Sequence, residues 1–199
     1  GGVDLIFPHH ENEIAQSEGA TKEPFARVWV HVEHLFVDGG KMSKSLGNVY
    51  TLDEMAARGH RASALRYLLL SSHYRKQLNF TWTGMDQAEE AVRRIVDCRE
   101  RLDAVAGDGA HPEVLDAVAQ ARTAFTSALQ HDLNTAAALA AVFDLVRDLN
   151  AAIDAGEMSA SDAEAARQVM DECDRVLGVV SLRQAEDAQP PVDVQEIER

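Results

Sequence analysis

The chain reads as mainly α: the end of an α/β nucleotide-binding sheet followed by an antiparallel helical bundle. Short β-like runs, separated by a helix and turns, occupy the residues up to about Asn48, and four apolar stripes at helical spacing fill the stretch from Asp86 to Gly178. The charge divides along the same line. Residues 1–82 carry nine basic and nine acidic side chains, whereas residues 83–199 carry ten and 24, which accounts for the whole net charge of −14. A surface that grips nucleic acid is basic where it meets phosphate. The acidic half therefore reads as the solvated exterior of a bundle, with Arg93 and Arg94 as local exceptions.

Residues 3–7 and 28–32 are predicted strands, and residues 35–41 a strand running into a glycine turn. Pro8 suits the first turn of a helix. Thr51-Leu-Asp-Glu54 is a capping box that opens a short helix, Gly59 stops it, and residues 62–71 begin another with Leu65, Leu68 and Leu69 on one face. Met85, Ala88, Val92, Ile95, Arg99 and Leu102 then form a mainly apolar stripe at three- and four-residue steps. Residues 107–112 break the chain, and Pro112 opens a helix carrying Leu115, Val118, Phe125 and Leu129. Leu139, Val142, Phe143, Val146, Leu149 and Ile153 mark the next, which Gly156 ends. Ser161-Asp-Ala-Glu164 has the form of a second capping box, ahead of a last stripe of Val169, Met170, Cys173, Val176 and Leu177. Four such helices with short links predict an antiparallel bundle. Trp82 is expected to pack the junction of the two parts, and the acidic stretch from Arg183, with Pro190-Pro191, reads as a linker.

A length of 199 residues, with 46% hydrophobic and 26% charged side chains, suits one large or two small globular domains. No apolar run approaches the roughly 20 residues of a membrane span. Cys98 and Cys173 are too few and too poorly spaced for a disulfide framework, and are expected as buried thiols in a reducing compartment. The chain opens on Gly1 rather than Met, directly into motif-dense sequence, and reads as incomplete.

The most informative stretch is Lys41-Met-Ser-Lys-Ser-Leu-Gly-Asn48. Two lysines three apart, with hydroxyls and a glycine, make a cationic loop suited to polyphosphate, since fixed cations act most where charge develops on a leaving phosphate. Ser43 and Ser45 are expected to shape the loop. Upstream, His9 and Glu13 stand four apart, on one helical face. By spacing alone they are a helix-surface contact or half of a metal site, because two ligands do not make a zinc centre. Asp4, in Gly2-Val-Asp4, is by itself a turn residue.

The octapeptide resembles the Lys-Met-Ser-Lys-Ser signature of class I aminoacyl-tRNA synthetases. The segment Phe7-Pro-His-His-Glu-Asn-Glu-Ile-Ala-Gln-Ser17 resembles cysteinyl-tRNA synthetases in particular, and Asp132-Leu-Asn-Thr135 resembles the start of a helix in that family's anticodon-side bundle. The resemblance spans most of the chain and implies a cytoplasmic ligase that activates cysteine with ATP and magnesium and loads it on tRNA(Cys). It implies a Rossmann-like end to a catalytic domain over residues 1–50, a stem-contact region over 51–82, the bundle over 83–182 and a tail over 183–199. It further implies that Lys44 contacts ATP, that Lys41 assists the pyrophosphate, and that Asp4 holds the ATP ribose. His9 and Glu13 would bind zinc together with two cysteines from earlier sequence, positions that Cys98 and Cys173 do not match.

Zinc prefers a soft thiolate to a neutral hydroxyl, a distinction between cysteine and serine that a pocket wall makes poorly. His10 and Glu11 would make contacts behind the ligands or serve structure alone. His73-Tyr-Arg-Lys76 fits either a tRNA contact or an ordinary helix end. The family's His-Ile-Gly-His type signature is absent from the sequence, so the chain alone is expected not to activate cysteine. Two other readings share these residues: a ligase joining cysteine to glucosaminyl-inositol in mycothiol synthesis, and a noncatalytic tRNA-binding module.

Overall fold

In this computed structural model residues 1–42 and 47–188 are described. Contacts divide the chain into two compact units, one of residues 1–49 with 72–80 and the other of residues 50–71 with 81 onward.

In the first unit a 3₁₀ turn, Val3–Leu5, and a wide turn, Ile6–His10, lead into α1 (Glu11–Thr21). The strand expected at residues 3–7 does not form. Pro8 offers no N–H to a ladder and restricts the residue before it, so Phe7 alone is extended (φ −133°, ψ 131°) between helical turns. The strand expected at residues 28–32 is reduced to an isolated parallel bridge between Gly2 and Val32. Val32 N–H donates to Gly1 O at 2.8 Å and Gly1 N to Val30 O at 3.1 Å, and among the described residues no longer ladder is made there. The strand and glycine turn at residues 35–41 do form, as a hairpin of β1 (Leu35–Val37) and β2 (Gly40–Lys41) with Phe36 opposite Lys41. Asp38 (φ 49°) and Gly39 (φ 77°) both take the left-handed backbone that a two-residue hairpin turn requires. A third strand, β3 (Leu78–Phe80), pairs parallel with β1 and gives the order β2-β1-β3. Val37 and Phe80, opposite each other, are buried.

The second unit is helical: α2 (Leu52–Ala57), α3 (Ala62–Leu70), α4 (Trp82–Asp103), α5 (Pro112–Gln130), α6 (Thr135–Ala155), α7 (Ala160–Leu177) and α8 (Val180–Ala188). The Thr51–Glu54 box is reciprocal, with Thr51 N–H on Glu54 Oε2 (2.7 Å) and Glu54 N–H on Thr51 Oγ1 (3.2 Å). Helix α4 starts at Trp82 because Thr81 Oγ1 accepts from Gly84 N–H. Its stripe is buried as expected apart from Arg99, which reaches Asp103 and Asp171. On α5 only Leu115 of the expected stripe is turned out, and Leu129 packs partly buried against the core. Val114, Val118, Ala121 and Phe125, at steps of four, three and four, meet the core, while Leu115 is 40% exposed. Val176 on α7 is likewise turned out, and Ala166, Val169, Met170, Cys173 and Leu177 face in. These helices share one apolar core with α6, whose Leu145, Val146 and Leu149 are nearly inaccessible.

Two expectations for the C-terminal part are corrected. The capping box of α7 is Ser159 with Asp162, two residues earlier than Ser161 with Glu164. Ser161 instead turns its hydroxyl to Gly109 O, and Glu164 pairs with Arg167. Arg183 does not begin a linker: it lies on α8 with its side chain buried against two carboxylates, and an extended tail would leave those charges unpaired.

Burial pushes both thiols, Cys98 and Cys173, up to about 11. The thiolate is the reactive form. A thiol-specific disulfide reagent at pH 8 is therefore expected to label neither cysteine in the native protein and both after denaturation; rapid labelling before unfolding would contradict this. Among the described residues no helix is long and apolar enough to cross a membrane.

Candidate active site

The start of the chain is shaped by two glycines. A side chain at Gly2 would collide with the Asp4 carboxylate, and a Cβ at Gly1 would lie 2.9 Å from His10 Cε1. Asp4 is thereby folded back over backbone, 59% exposed, with Oδ1 3.4 Å from His34 Nε2. A carboxylate held at a turn beside a glycine can accept from ligand hydroxyls, as ribose recognition requires. His34 Nδ1 in turn lies 3.7 Å from Glu33.

His9 lies near the end of the wide turn and Glu13 on the first turn of α1, where a carboxylate also suits the helix dipole. Both are exposed, and within the described residues neither makes a hydrogen bond or ion pair. A nitrogen and an oxygen donor on one helical face fit two corners of a zinc tetrahedron. Among the described residues no group of three or more His, Cys, Asp or Glu side chains converges.

The neighbouring His10 is held differently. Its Nδ1 lies 2.8 Å from His31 Nε2, its ring is 4.8 Å from that of Trp29, and Trp29 stacks on His31 with planes 8° apart. Phe25 extends the cluster at 5.8 Å from Trp29. Burial, followed by the charges of His10, of the Gly1 amine and of Arg75, lowers the pKa of His31. The sequence reading passed over Trp29 and His31. An aromatic and an imidazole two apart in an extended segment share one face, and that spacing was the available signal.

Lys41 stands on β2, exposed, opposite Phe36, and its side chain makes no ion pair among the described residues. Its carbonyl accepts from Asn48 Nδ2 at 3.1 Å, which ties the two ends of the lysine loop together. Lys44, with Ser43 and Ser45, lies outside the described residues. In the segment 73–76, His73 stacks on Tyr74, Arg75 covers the other ring at 5.1 Å, and Lys76 N–H turns back to His73 O. Trp82 belongs to the helical unit, where the Arg58 guanidinium lies 3.9 Å from its ring centre and His60 stacks on it.

Asp4, His9, Glu13 and Lys41 are thus presented by one small unit. Residues 1–90 match the model of the class I (C) tRNA synthetase catalytic domain, and residues 124–181 match the DALR domain. The chain is 48% identical to a cysteine–tRNA ligase of Solibacter usitatus over 181 residues, covering 90% of this chain and 39% of the relative. It is 45% identical to that of Chlamydia muridarum over 196 residues (94% and 41%), and 46% to that of Koribacter versatilis over 182 (91% and 37%). The chain belongs to the cysteinyl-tRNA synthetase family. It spans about two fifths of the length of these curated synthetases. Within that span the synthetase match covers Asp4, His9, Glu13, Lys41 and Lys44, while the end of α5 and all of α6 and α7 fall in the DALR match.

Proposed function

We propose that the chain is the part of a cytoplasmic cysteine–tRNA ligase that carries the zinc helix, the lysine loop and the anticodon-side bundle. The first unit is read as the closing portion of a Rossmann-like nucleotide-binding domain, and the helices from residue 83 as an antiparallel bundle approached through a stem-contact region. In the complete polypeptide the carboxylate of cysteine attacks the α-phosphate of ATP, which magnesium would accompany, and displaces pyrophosphate; the cysteinyl group then passes from the adenylate to the terminal adenosine of tRNA(Cys) with release of AMP. Asp4 accepts from the ATP ribose, Lys44 neutralises the phosphates, and Lys41 the departing pyrophosphate. Such chemistry asks mainly for positioning and fixed charge.

His9 and Glu13 are assigned two zinc positions, the remaining ligands coming from two cysteines in a preceding part of the enzyme. Zinc would supply selective affinity for a thiolate over a hydroxyl. The exposure of both donors, with no other partner among the described residues, supports this assignment. The observation that carries the reading is the match, over 90% and 94% of this chain, to relatives named cysteine–tRNA ligase. It favours tRNA over glucosaminyl-inositol as the acceptor, and catalysis over a purely binding role.

The test is cysteine-dependent ATP–pyrophosphate exchange and tRNA(Cys) charging, by the 199-residue chain and by the native-length polypeptide containing it. Charging by the native polypeptide, with one equivalent of zinc, and none by the isolated chain is expected. Ligation of cysteine to the amino sugar without charging would replace the reading with its rival.

A further inference from the structure

Helix α3 has no cap of its own. Its N-cap residue is Arg61, whose side chain only donates, and no local side chain accepts from the first turn. The free N–H groups are met by carboxylates from two other helices. Arg61 N–H donates to Glu89 Oε1 on α4 (2.7 Å) and Ser63 N–H to Glu186 Oε1 on α8 (3.2 Å), while Ser63 Oγ donates to Glu186 Oε2 (2.6 Å). The buried Arg183 locks the arrangement. Its Nε donates to Ser63 Oγ at 2.8 Å, its guanidinium pairs with Glu89, and Glu186 Oε2 lies 3.7 Å away. Arg61 reaches across to Asp187, and Arg66 donates to Leu177 O at the end of α7.

Helix α8 is anchored in its own right. Asp174 accepts from Val179, Val180 and Ser181 N–H, each at 2.8 Å, which fixes the turn from α7 and caps the new helix. The family matches end at residue 181, so Arg183, Glu186 and Asp187 lie beyond them.

We propose that α8 is a strap that caps α3 from outside, making the order of the segment after the lysine loop conditional on the C-terminal helix. The dependence is chemical. Without Glu186, two donors of Ser63 lose their acceptor, and without Arg183 two carboxylates face each other unpaired in a half-buried site. Displacement of α8 is thereby coupled to fraying of α3, across 123 residues of sequence between Ser63 and Glu186.

Amide hydrogen exchange on the folded chain tests this with Glu186→Ala and Arg183→Met, and with Gln184→Ala as a control on an exposed position of α8. Glu186→Ala is expected to speed exchange in residues 62–66 about five- to tenfold, the scale of a lost cap, with α5 and α6 unchanged; Arg183→Met should exceed it. Trp82, stacked on His60 just ahead of α3, should report the same loosening by fluorescence in a Trp29→Phe background. Unchanged exchange in α3, acceleration spread evenly over α4 to α7, or an equal effect of Gln184→Ala overturns the strap. None of these outcomes depends on catalysis, so the inference stands or falls apart from the ligase reading.

Discussion

Asp162→Ala is expected to lower the stability of the helical unit by about 3 kcal/mol, the scale of leaving several buried donors without an acceptor. The carboxylate is 1% exposed and sits in the first turn of α7. It accepts from Ser159 N–H (3.0 Å), Ser159 Oγ (2.7 Å) and His111 Nδ1 (2.7 Å), so it joins the start of α7 to the residue ahead of α5. Burial opposes the charge, but the hydrogen bonds from Ser159 and His111 outweigh it and hold the carboxyl down at about 2. Because the folded pKa lies below the ordinary 3.8, this contribution is complete above pH 3.8 and is lost as the pH falls through about 2. Thermal melts at pH 7 should place the variant about 10 °C below the wild type. The difference should narrow between pH 4 and pH 2, and a gap that persists undiminished at pH 2 would remove the carboxylate as its source.

Much of the helical unit was legible because its signals are local. Thr51 and Glu54, Pro112, Gly156 and Gly178 each set an end by their own chemistry, and stripes at three- and four-residue spacing located the buried faces. The misreadings arose where a neighbour decides. Leu115 and Val176 are apolar and periodic, yet which faces of α5 and α7 are buried is set by their packing on each other and on α6 rather than by composition. Ser161 and Glu164 fit a capping pattern as well as Ser159 and Asp162 do, and the choice falls to the pair whose carboxylate also meets His111. Arg183, read as part of an acidic tail, finds one of its two carboxylates 94 residues away in sequence, at Glu89, a distance over which no local pattern speaks.

The first unit was harder to read for the same reason. Among the described residues only the Asp38-Gly39 hairpin carries its own turn chemistry; the bridge at Val32 and the strand at residues 78–80 are set by what lies beside them. The candidate site was legible as residue types, since Asp4, His9, Glu13 and Lys41 each have a chemistry independent of fold. What the fold adds is the pinning of His10 by His31 and Trp29 on one side while His9 and Glu13 remain exposed.

In the native-length polypeptide, Lys44→Ala is expected to lower the turnover of cysteine-dependent ATP–pyrophosphate exchange about 10²- to 10³-fold, the scale of removing one fixed charge donor from a transition state. Lys41→Ala should cost less, about tenfold, because Lys41 is held on β2 by the hairpin and by Asn48, and its reach toward the phosphates comes from its flexible stem alone. Neither change should alter the KM for cysteine appreciably, since an interaction made mainly as charge develops on the pyrophosphate appears in kcat. Lys44→Arg tests the geometry. It preserves charge but replaces a compact ammonium with a planar fork, and should recover only part of the lost rate. Loss in KM for cysteine with kcat intact would move the lysines from the phosphate to the amino-acid pocket. Exchange within threefold of wild type for both alanine variants would remove them from the reaction, leaving the loop a surface turn.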